Sequence, residues 1–236
     1  RKYAETPTQE EYWDYWESVH FNEFEYPKYW KVMQQHYHDP NLEFIPAIRI
    51  VTGTHCLRAC TYCSVALVRN YAGGKITKPV LLRGDEIITI VKRAAEEVPQ
   101  CKRIYFVSDD ILFYKPPFIH FLNWFKDSGL PHKIMVQTHS ANLTKDIFDL
   151  LAKAHCDQVS IGIENASSYI RKTLMKPQGD QQIEDVVTWS REFGVPAYFL
   201  ILLFPPESRL EDCWINYITL SRWLDLGVQI SIEPVI

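Results

Sequence analysis

The sequence predicts an α/β fold built on a parallel β-sheet. Six short apolar segments with strand character alternate along the chain with longer segments of helical periodicity. Most of the six are apolar on both faces, which is typical of parallel strands covered by helices. Right-handed crossovers would wind such strands into a barrel or into an open α/β sheet, and periodicity alone does not choose between these two architectures.

Composition is compatible with one sizeable domain. The chain has 236 residues, of which 47% are hydrophobic, and its formal net charge is -4. No global basic field indicates a nucleic-acid or membrane-surface partner. The sequence contains neither a run of 18 apolar residues nor a signal-peptide pattern, so we expect a cytoplasmic protein. It begins without Met and ends on apolar residues, and we therefore expect it to be a fragment of a longer protein.

Residues 1–43 predict an aromatic and acidic helical segment in front of the sheet. Residues 1–45 contain nine acidic and four basic residues, interleaved with many aromatic ones. Thr8 and Glu11 have the spacing of a capping box, and Pro27 can take the first position of a second helix that runs to about His38. The segment is either a module whose aromatic side chains pack against the sheet, which we favour, or an interdomain connector.

The remaining elements follow in order from residue 44. β-branched and apolar runs predict the strands, and turn residues bound them. The predicted strands are residues 44–51, 103–107, 133–137, 158–163, 197–204 and 228–232. Apolar residues at helical spacing predict the helices, with Thr144, Asp180 and Ser208 as N-caps of three of them. The predicted helices are residues 84–98, 116–126, 144–154, 166–175, 180–193 and 208–226.

Three cysteines follow the first strand within eight residues: Cys56, Cys60 and Cys63. Three thiolates at this spacing can bind three irons of a 4Fe-4S cluster and leave the fourth iron open to a non-protein ligand. A structural zinc site would need a fourth ligand at comparable spacing, and a thioredoxin-like pair would leave Cys56 unexplained. Three buried structural cysteines are the remaining alternative. The other cysteines are scattered singly and indicate reduced core residues: Cys101, Cys156 and Cys213.

Polar residues gather where the predicted strands end. They include Ser108, Asp109 and Asp110, then Thr138, His139 and Ser140, then Glu164 and Asn165, and finally Glu233. Parallel α/β folds bind ligands at the carboxyl ends of their strands. Ser, Asp and Asn also form turns, so turn formation is the alternative for each.

The pattern Cys56-x-x-x-Cys60-x-x-Cys63, with Tyr62 before the last cysteine, resembles the signature of the radical S-adenosylmethionine (SAM) superfamily. The resemblance implies a partial (β/α)6 TIM-type barrel over residues 44–236. It also implies an enzyme that holds a 4Fe-4S cluster on the three cysteines. Such an enzyme cleaves SAM reductively to a 5'-deoxyadenosyl radical, which abstracts a hydrogen atom from a substrate. A non-catalytic iron-sulfur module for electron transfer or structure is the alternative.

The resemblance also assigns roles by position. Ser108, Asp109 and Asp110 replace the more usual Gly-Gly-Glu that supports the SAM amino group, and Ser140 ends the next strand as a further candidate contact. Glu164 matches the position that holds the ribose or methionine part, and Tyr62 matches an aromatic residue near the adenine. Arg171 is a candidate partner for the SAM carboxylate, with an exposed helix arginine as the alternative.

Three further segments are similar to the cobalamin-binding branch of that superfamily and to its methylthiotransferase relatives: residues 106–110, 159–167 and 174–176. This similarity leaves cobalamin open as a further cofactor, carried by a domain that the sequence does not contain, for methylation or rearrangement. The implied partners are a small-molecule substrate and an electron donor such as flavodoxin or ferredoxin. The sequence does not identify the substrate.

Overall fold

The computed structural model describes residues 7–36, 44–66 and 78–234 and contains one six-stranded sheet. All neighbouring strands are parallel, and they follow one another in chain order. They are β1 Ala47–Ile50, β2 Arg103–Phe106, β3 Lys133–Thr138, β4 Cys156–Glu164, β5 Ala197–Leu203 and β6 Gln229–Pro234. The predicted strand end at Glu233 cannot be compared, because its side chain lies outside the described residues.

Helices alternate with these strands after two N-terminal helices. They are α1 Gln9–Ser18, α2 Tyr26–His36, α3 Gly84–Glu97, α4 Lys115–Phe125, α5 Lys145–Lys153, α6 Ser168–Thr173, α7 Asp180–Phe193 and α8 Leu210–Asp225. Sequential parallel strands joined through helices form a sheet that winds in one direction. The predicted partial (β/α)6 barrel is confirmed. Among the described helices, none is long and apolar enough to cross a membrane.

The two faces of the sheet differ in character. Register places Ile48 beside Ile104 and Ile161 beside Phe199, and all four side chains are fully buried. On this face the Phe199 ring packs edge-on against Trp223 of α8, at 5.2 Å between ring centroids. The alternate residues face the other way because side chains in a strand alternate. This second face is more polar than the sequence analysis expected, and it lines the cavity described below.

Arg93 of α3 binds the end of the first N-terminal helix. The guanidinium of Arg93 donates hydrogen bonds to the backbone oxygens of Trp16, Glu17 and Val19, at 2.8–3.0 Å. These oxygens lie at the C-terminal end of α1, where helix carbonyls lack intrahelical partners and the dipole favours a positive charge. Aromatic side chains of this segment divide between the core and the surface. Trp16, Phe21 and Trp30 are buried, whereas Tyr15, Phe24 and Tyr29 are exposed.

Several helix starts differ slightly from the sequence-based expectation. The capping box at Thr8 and Glu11 and the cap at Thr144 are confirmed. The cap expected at Ser208 is wrong, because Arg209 precedes α8 and its backbone N–H is bound by Asp212. Asp180 is the first helical residue of α7 and Gly179 precedes it. The predicted helix at residues 166–175 is shortened to α6, and helix ends commonly shift by a residue or two.

Candidate functional site

The three clustered cysteines line one cavity at the carboxyl ends of the strands. Cys56, Cys60 and Cys63 share this space of about 400 Å3 with residues from the ends of β3, β4 and β5. Leu200 and Leu202 form part of its apolar wall. The loop after β1 therefore brings all three thiols to the edge of the sheet at which parallel α/β folds bind ligands.

The cysteines fit a cluster better than a single metal ion. All three are free, and burial raises the pKa of the thiols of Cys56 and Cys60. Within residues 7–36, 44–66 and 78–234, no three His, Cys, Asp or Glu side chains converge closely enough to hold one ion. A cluster has a different requirement, since each thiolate binds its own iron. Three free thiols around one cavity meet that requirement.

Asp110 connects three elements beneath this cavity. One carboxylate oxygen accepts hydrogen bonds from Thr138 Oγ1 at 2.8 Å, the His139 backbone N–H at 3.2 Å and Asn142 Nδ2 at 2.7 Å. The other oxygen accepts from Arg58 Nε of the cysteine loop at 3.0 Å, and the side chain is only 2% exposed. Both oxygens of Asp110 therefore have partners within the protein, and its contact with SAM stays a prediction.

Arg58 lies between the first two cysteines and lines the cavity. Its Nε is bound to Asp110, and its guanidinium carbon lies 5.9 Å from the centre of the Phe113 ring. In the described part of the chain, its two terminal nitrogens have no hydrogen-bond partner. A guanidinium held on one edge in this way keeps its other edge available for an anion.

Asp109 contributes a negative charge to the same cavity, opposite in sign to the charge of Arg58. Its side chain lies between the cysteine cavity and a smaller cavity of about 40 Å3, and it lines both. Asp109 is exposed and has no hydrogen bond or ion pair within the described ranges. It remains available for a cation.

The two predicted serine contacts are occupied within the protein. Ser108 Oγ accepts from the backbone N–H of Thr52 at 2.9 Å and shares a second hydrogen bond with the Thr52 hydroxyl at 2.6 Å. Ser140 is fully buried and donates to Gln178 Oε1 at 2.5 Å. Both serines therefore fix the backbone at the ends of β2 and β3.

A buried ion pair lies at the end of β4. Lys176 Nζ contacts Glu164 Oε1 at 2.5 Å, and it also lies 3.4 Å from the hydroxyl of Tyr62. All three side chains line the cysteine cavity. Burial raises the pKa of the Tyr62 hydroxyl, and the neighbouring Glu164 carboxylate raises it further, so the phenol stays protonated.

The comparison with protein families decides which group this chain belongs to. The radical SAM superfamily model matches residues 50–212, which is well over half of the chain. The chain belongs to the radical SAM superfamily. No curated protein matches it.

Solved structures with the same fold include cobalamin-dependent radical SAM enzymes. The methyltransferase TsrM from Kitasatospora setae, solved with cobalamin and a 4Fe-4S cluster, is 14% identical with a TM-score of 0.66. The match covers 79% of this chain and 34% of TsrM. Apo OxsB, also a cobalamin-dependent radical SAM enzyme, is 15% identical with a TM-score of 0.65, over 75% of this chain and 26% of OxsB. Coproporphyrinogen III oxidase HemN from Escherichia coli is 13% identical with a TM-score of 0.56, over 91% and 48% of the two chains.

These comparisons establish the fold of the radical SAM core. The chain spans about a third of TsrM and about a quarter of OxsB. The similarity therefore concerns the fold of this core and not the activities, substrates or further cofactors of those longer proteins.

Arg171 lies away from the cysteine cavity. Its guanidinium donates to the backbone oxygens of Asn165, Ala166 and Gln178 and pairs with Asp180. The side chain is 1% exposed, so the alternative of an exposed helix arginine is wrong. Because its donors are used by the β4 to α7 connection, the structure gives no support to the predicted contact with the SAM carboxylate.

Two cationic residues of the cavity, Arg58 and Lys176, were not predicted as site residues, and His139 was predicted only as a polar strand end that either binds a ligand or forms a turn. His139 Nδ1 accepts a hydrogen bond from the Ala141 backbone N–H at 3.1 Å, so the ring proton belongs on Nε2. Nε2 is buried without a partner in the part of the chain that the structure describes. Burial, together with the positive charge of Arg58, lowers the pKa of His139 to about 3, and the ring is neutral at pH 7.

Proposed function

We propose that this chain is the catalytic core of a radical SAM enzyme that holds a 4Fe-4S cluster on Cys56, Cys60 and Cys63 and cleaves SAM in the cavity they line. The observation that carries this proposal is the cavity itself. Three free thiols surround this space of about 400 Å3 together with Arg58, whose terminal nitrogens have no hydrogen-bond partner among the described residues, and Asp109, which has no partner there either.

When bound, the reduced cluster supplies the electron that cleaves SAM to methionine and a 5'-deoxyadenosyl radical. The protein binds and orients SAM for this chemistry. The methionine part of SAM carries an ammonium and a carboxylate group. Asp109 is the acceptor for the ammonium group, and the free edge of Arg58 pairs with the carboxylate in place of Arg171. Asp110 holds Arg58 in the required orientation.

The other half of SAM faces the ends of β4 and β5. Glu164, which pairs with Lys176, accepts a hydrogen bond from a ribose hydroxyl. Tyr62, Leu200 and Leu202 form a largely apolar wall for the adenine ring. Together these residues exclude water from the place where the radical forms.

The proposal extends to cobalamin as a second cofactor and to a small-molecule substrate that is methylated or rearranged. The structural similarity to TsrM and OxsB, which are described as cobalamin-dependent or cobalamin-bound, supports it. Cobalamin would bind to a part of a longer protein, and the helices of residues 1–43 would connect that part to the barrel. The electron donor is a protein such as flavodoxin or ferredoxin. The six free cysteines favour a cytoplasmic location, where thiols stay reduced.

The test is SAM cleavage by the full chain after anaerobic reconstitution with iron and sulfide. With a chemical reductant, the product 5'-deoxyadenosine is measured by mass spectrometry. We expect product from the wild type and from the control Cys213→Ala. No product is expected from Cys56→Ala, Cys60→Ala or Cys63→Ala. Equal loss of product in the Cys213 control, or a wild type that binds a cluster without cleaving SAM, would contradict the proposal and favour a non-catalytic iron-sulfur module.

A further inference from the structure

The connection between α6 and α7 fastens one half of the cysteine loop. The Thr61 backbone N–H donates to the Leu174 oxygen at 3.1 Å, and Lys176 Nζ lies 3.4 Å from the Tyr62 hydroxyl. The same ammonium group pairs with Glu164 at the end of β4. Lys176 therefore joins the turn between Cys60 and Cys63 to the sheet.

The backbone conformation near Gly162, Glu164 and Met175 accommodates the ion pair between Glu164 and Lys176. A Cβ atom at Gly162 would overlap both Glu164 Oε1 and Lys176 Nζ, so a side chain there would displace the ion pair from its present position. The pairing of β4 with β5 shifts register between Gly162 and Glu164, and bulges of this kind redirect a side chain. Glu164 and Met175 both have left-handed backbone conformations, with φ of 69° and 53°. Non-glycine residues keep such conformations where the surrounding structure enforces them, commonly at functional sites.

The ion pair between Lys176 and Glu164 is also largely shielded from solvent. The Lys176 and Glu164 side chains are 12% and 7% exposed, so solvent screens the ammonium charge only weakly. Lys176 lines the same cavity as Cys56, Cys60 and Cys63, so its positive charge lies beside the place where a cluster on these thiols would bind. Reduction makes an iron-sulfur cluster more negative, so a cation beside one of its thiolate ligands stabilises the reduced state. Such a cation therefore raises the reduction potential.

We infer that Lys176 is a positioning residue for the cluster: it fastens the Cys60 to Cys63 turn to β4 and raises the reduction potential of the cluster through its positive charge. The inference rests on the proposed function, because it requires a cluster on the cysteine loop. It does not require that Lys176 contact SAM or substrate. Gly162 is part of the same arrangement, since it leaves the space that the ion pair fills.

The test compares variants of the full reconstituted chain in the absence of SAM. Lys176→Arg keeps the charge. The double variant Lys176→Met with Glu164→Gln removes both charges without leaving an unpaired carboxylate in the protein, which would threaten folding. Gly162→Ala keeps both charged groups but displaces them. Gly179→Ala is the matched control, because a Cβ atom there meets only Gln182 Cβ at 3.9 Å, an ordinary contact.

Two quantities are measured: the midpoint potential of the cluster in an EPR-monitored redox titration and the rate of iron loss to a chelator. We expect a more negative potential in the double variant and in Gly162→Ala. We also expect roughly 10- to 100-fold faster iron loss in both, as is typical when groups that orient metal ligands are removed. Lys176→Arg and Gly179→Ala should keep both wild-type values.

Wild-type potential and wild-type iron retention in the double variant would overturn the inference. The proposed function would stand in that case. A wild-type chain that takes up no cluster would remove the proposed function and this inference together.

Discussion

Asp110 offers the sharpest test of how the cysteine loop is held, since it and its neighbour Asp109 differ in burial and in hydrogen bonding. Asp110 is buried and binds four donors from three parts of the chain, one of which is Arg58 of the cysteine loop. Asp109 is exposed and lacks a partner in the described ranges. Replacing each by alanine therefore distinguishes the structural role of Asp110 from the ligand-binding role proposed for Asp109.

The expected cost follows from what each change leaves behind. Asp110→Ala leaves the guanidinium of Arg58 without its counter-charge and three partly buried donors without an acceptor. Removing one partner of a buried ion pair costs about 3–5 kcal/mol. Asp110→Asn keeps the volume and one acceptor oxygen, so its cost should be nearer to the loss of one charge-assisted hydrogen bond, about 1.5–3 kcal/mol. Asp109→Ala should stay within about 0.5 kcal/mol of the wild type.

Urea unfolding of the iron-free chain, followed by circular dichroism, measures these differences. The predicted order of unfolding free energy is wild type and Asp109→Ala together, then Asp110→Asn, then Asp110→Ala. If Asp110→Ala unfolds within about 0.5 kcal/mol of the wild type, the hydrogen bonds around Asp110 do not hold the loop and the reasoning fails.

Three further predictions concern single side chains. Arg171→Met should lower the unfolding free energy by about 3 kcal/mol or more in urea titrations, and unchanged stability would show that its buried contacts are dispensable. Asp109→Asn should weaken SAM binding roughly tenfold in calorimetry and leave the iron content unchanged, and an unchanged affinity would remove Asp109 from the site. His139 has a pKa of about 3 in the folded chain against 6.5 for a free side chain, so it contributes stability above pH 6.5 that is lost as pH falls. The iron-free chain should therefore lose about 2 kcal/mol between pH 6.5 and pH 5 through this group, and His139→Gln should reduce that loss. An identical pH dependence in the variant would refute it.

The sheet and the cysteine cavity could be predicted because their signals are local. Strand and helix periodicity are read within one segment, and three cysteines in eight residues following a strand must lie at that strand's carboxyl end. Four of the polar strand-end residues line the cysteine cavity, since parallel strands bring their ends to one edge: Asp109, Thr138, His139 and Glu164. Which of those polar residues remain free for a ligand was not visible, because partners such as Thr52 for Ser108 are 56 residues distant.

The missed features depend on backbone conformations without a sequence signature. Glu164 and Met175 adopt left-handed conformations that favour glycine, so no turn rule predicted that Lys176 would reach Glu164. Arg171 was assigned from its position on a helix, but its partners are carbonyl groups of the loops on either side of that helix. Such contacts follow from tertiary packing and not from periodicity.

The most direct measurement of the central claim is the EPR spectrum of the reduced, reconstituted chain before and after SAM is added. Cys56, Cys60 and Cys63 leave one iron of a 4Fe-4S cluster without a protein ligand, and SAM in the same cavity would bind that iron. The account predicts one reduced cluster per chain whose signal changes when SAM is added, and no such signal when any of the three cysteines is replaced by alanine. A cluster signal that SAM leaves unchanged would contradict it, because it would show a cluster with all four irons already bound.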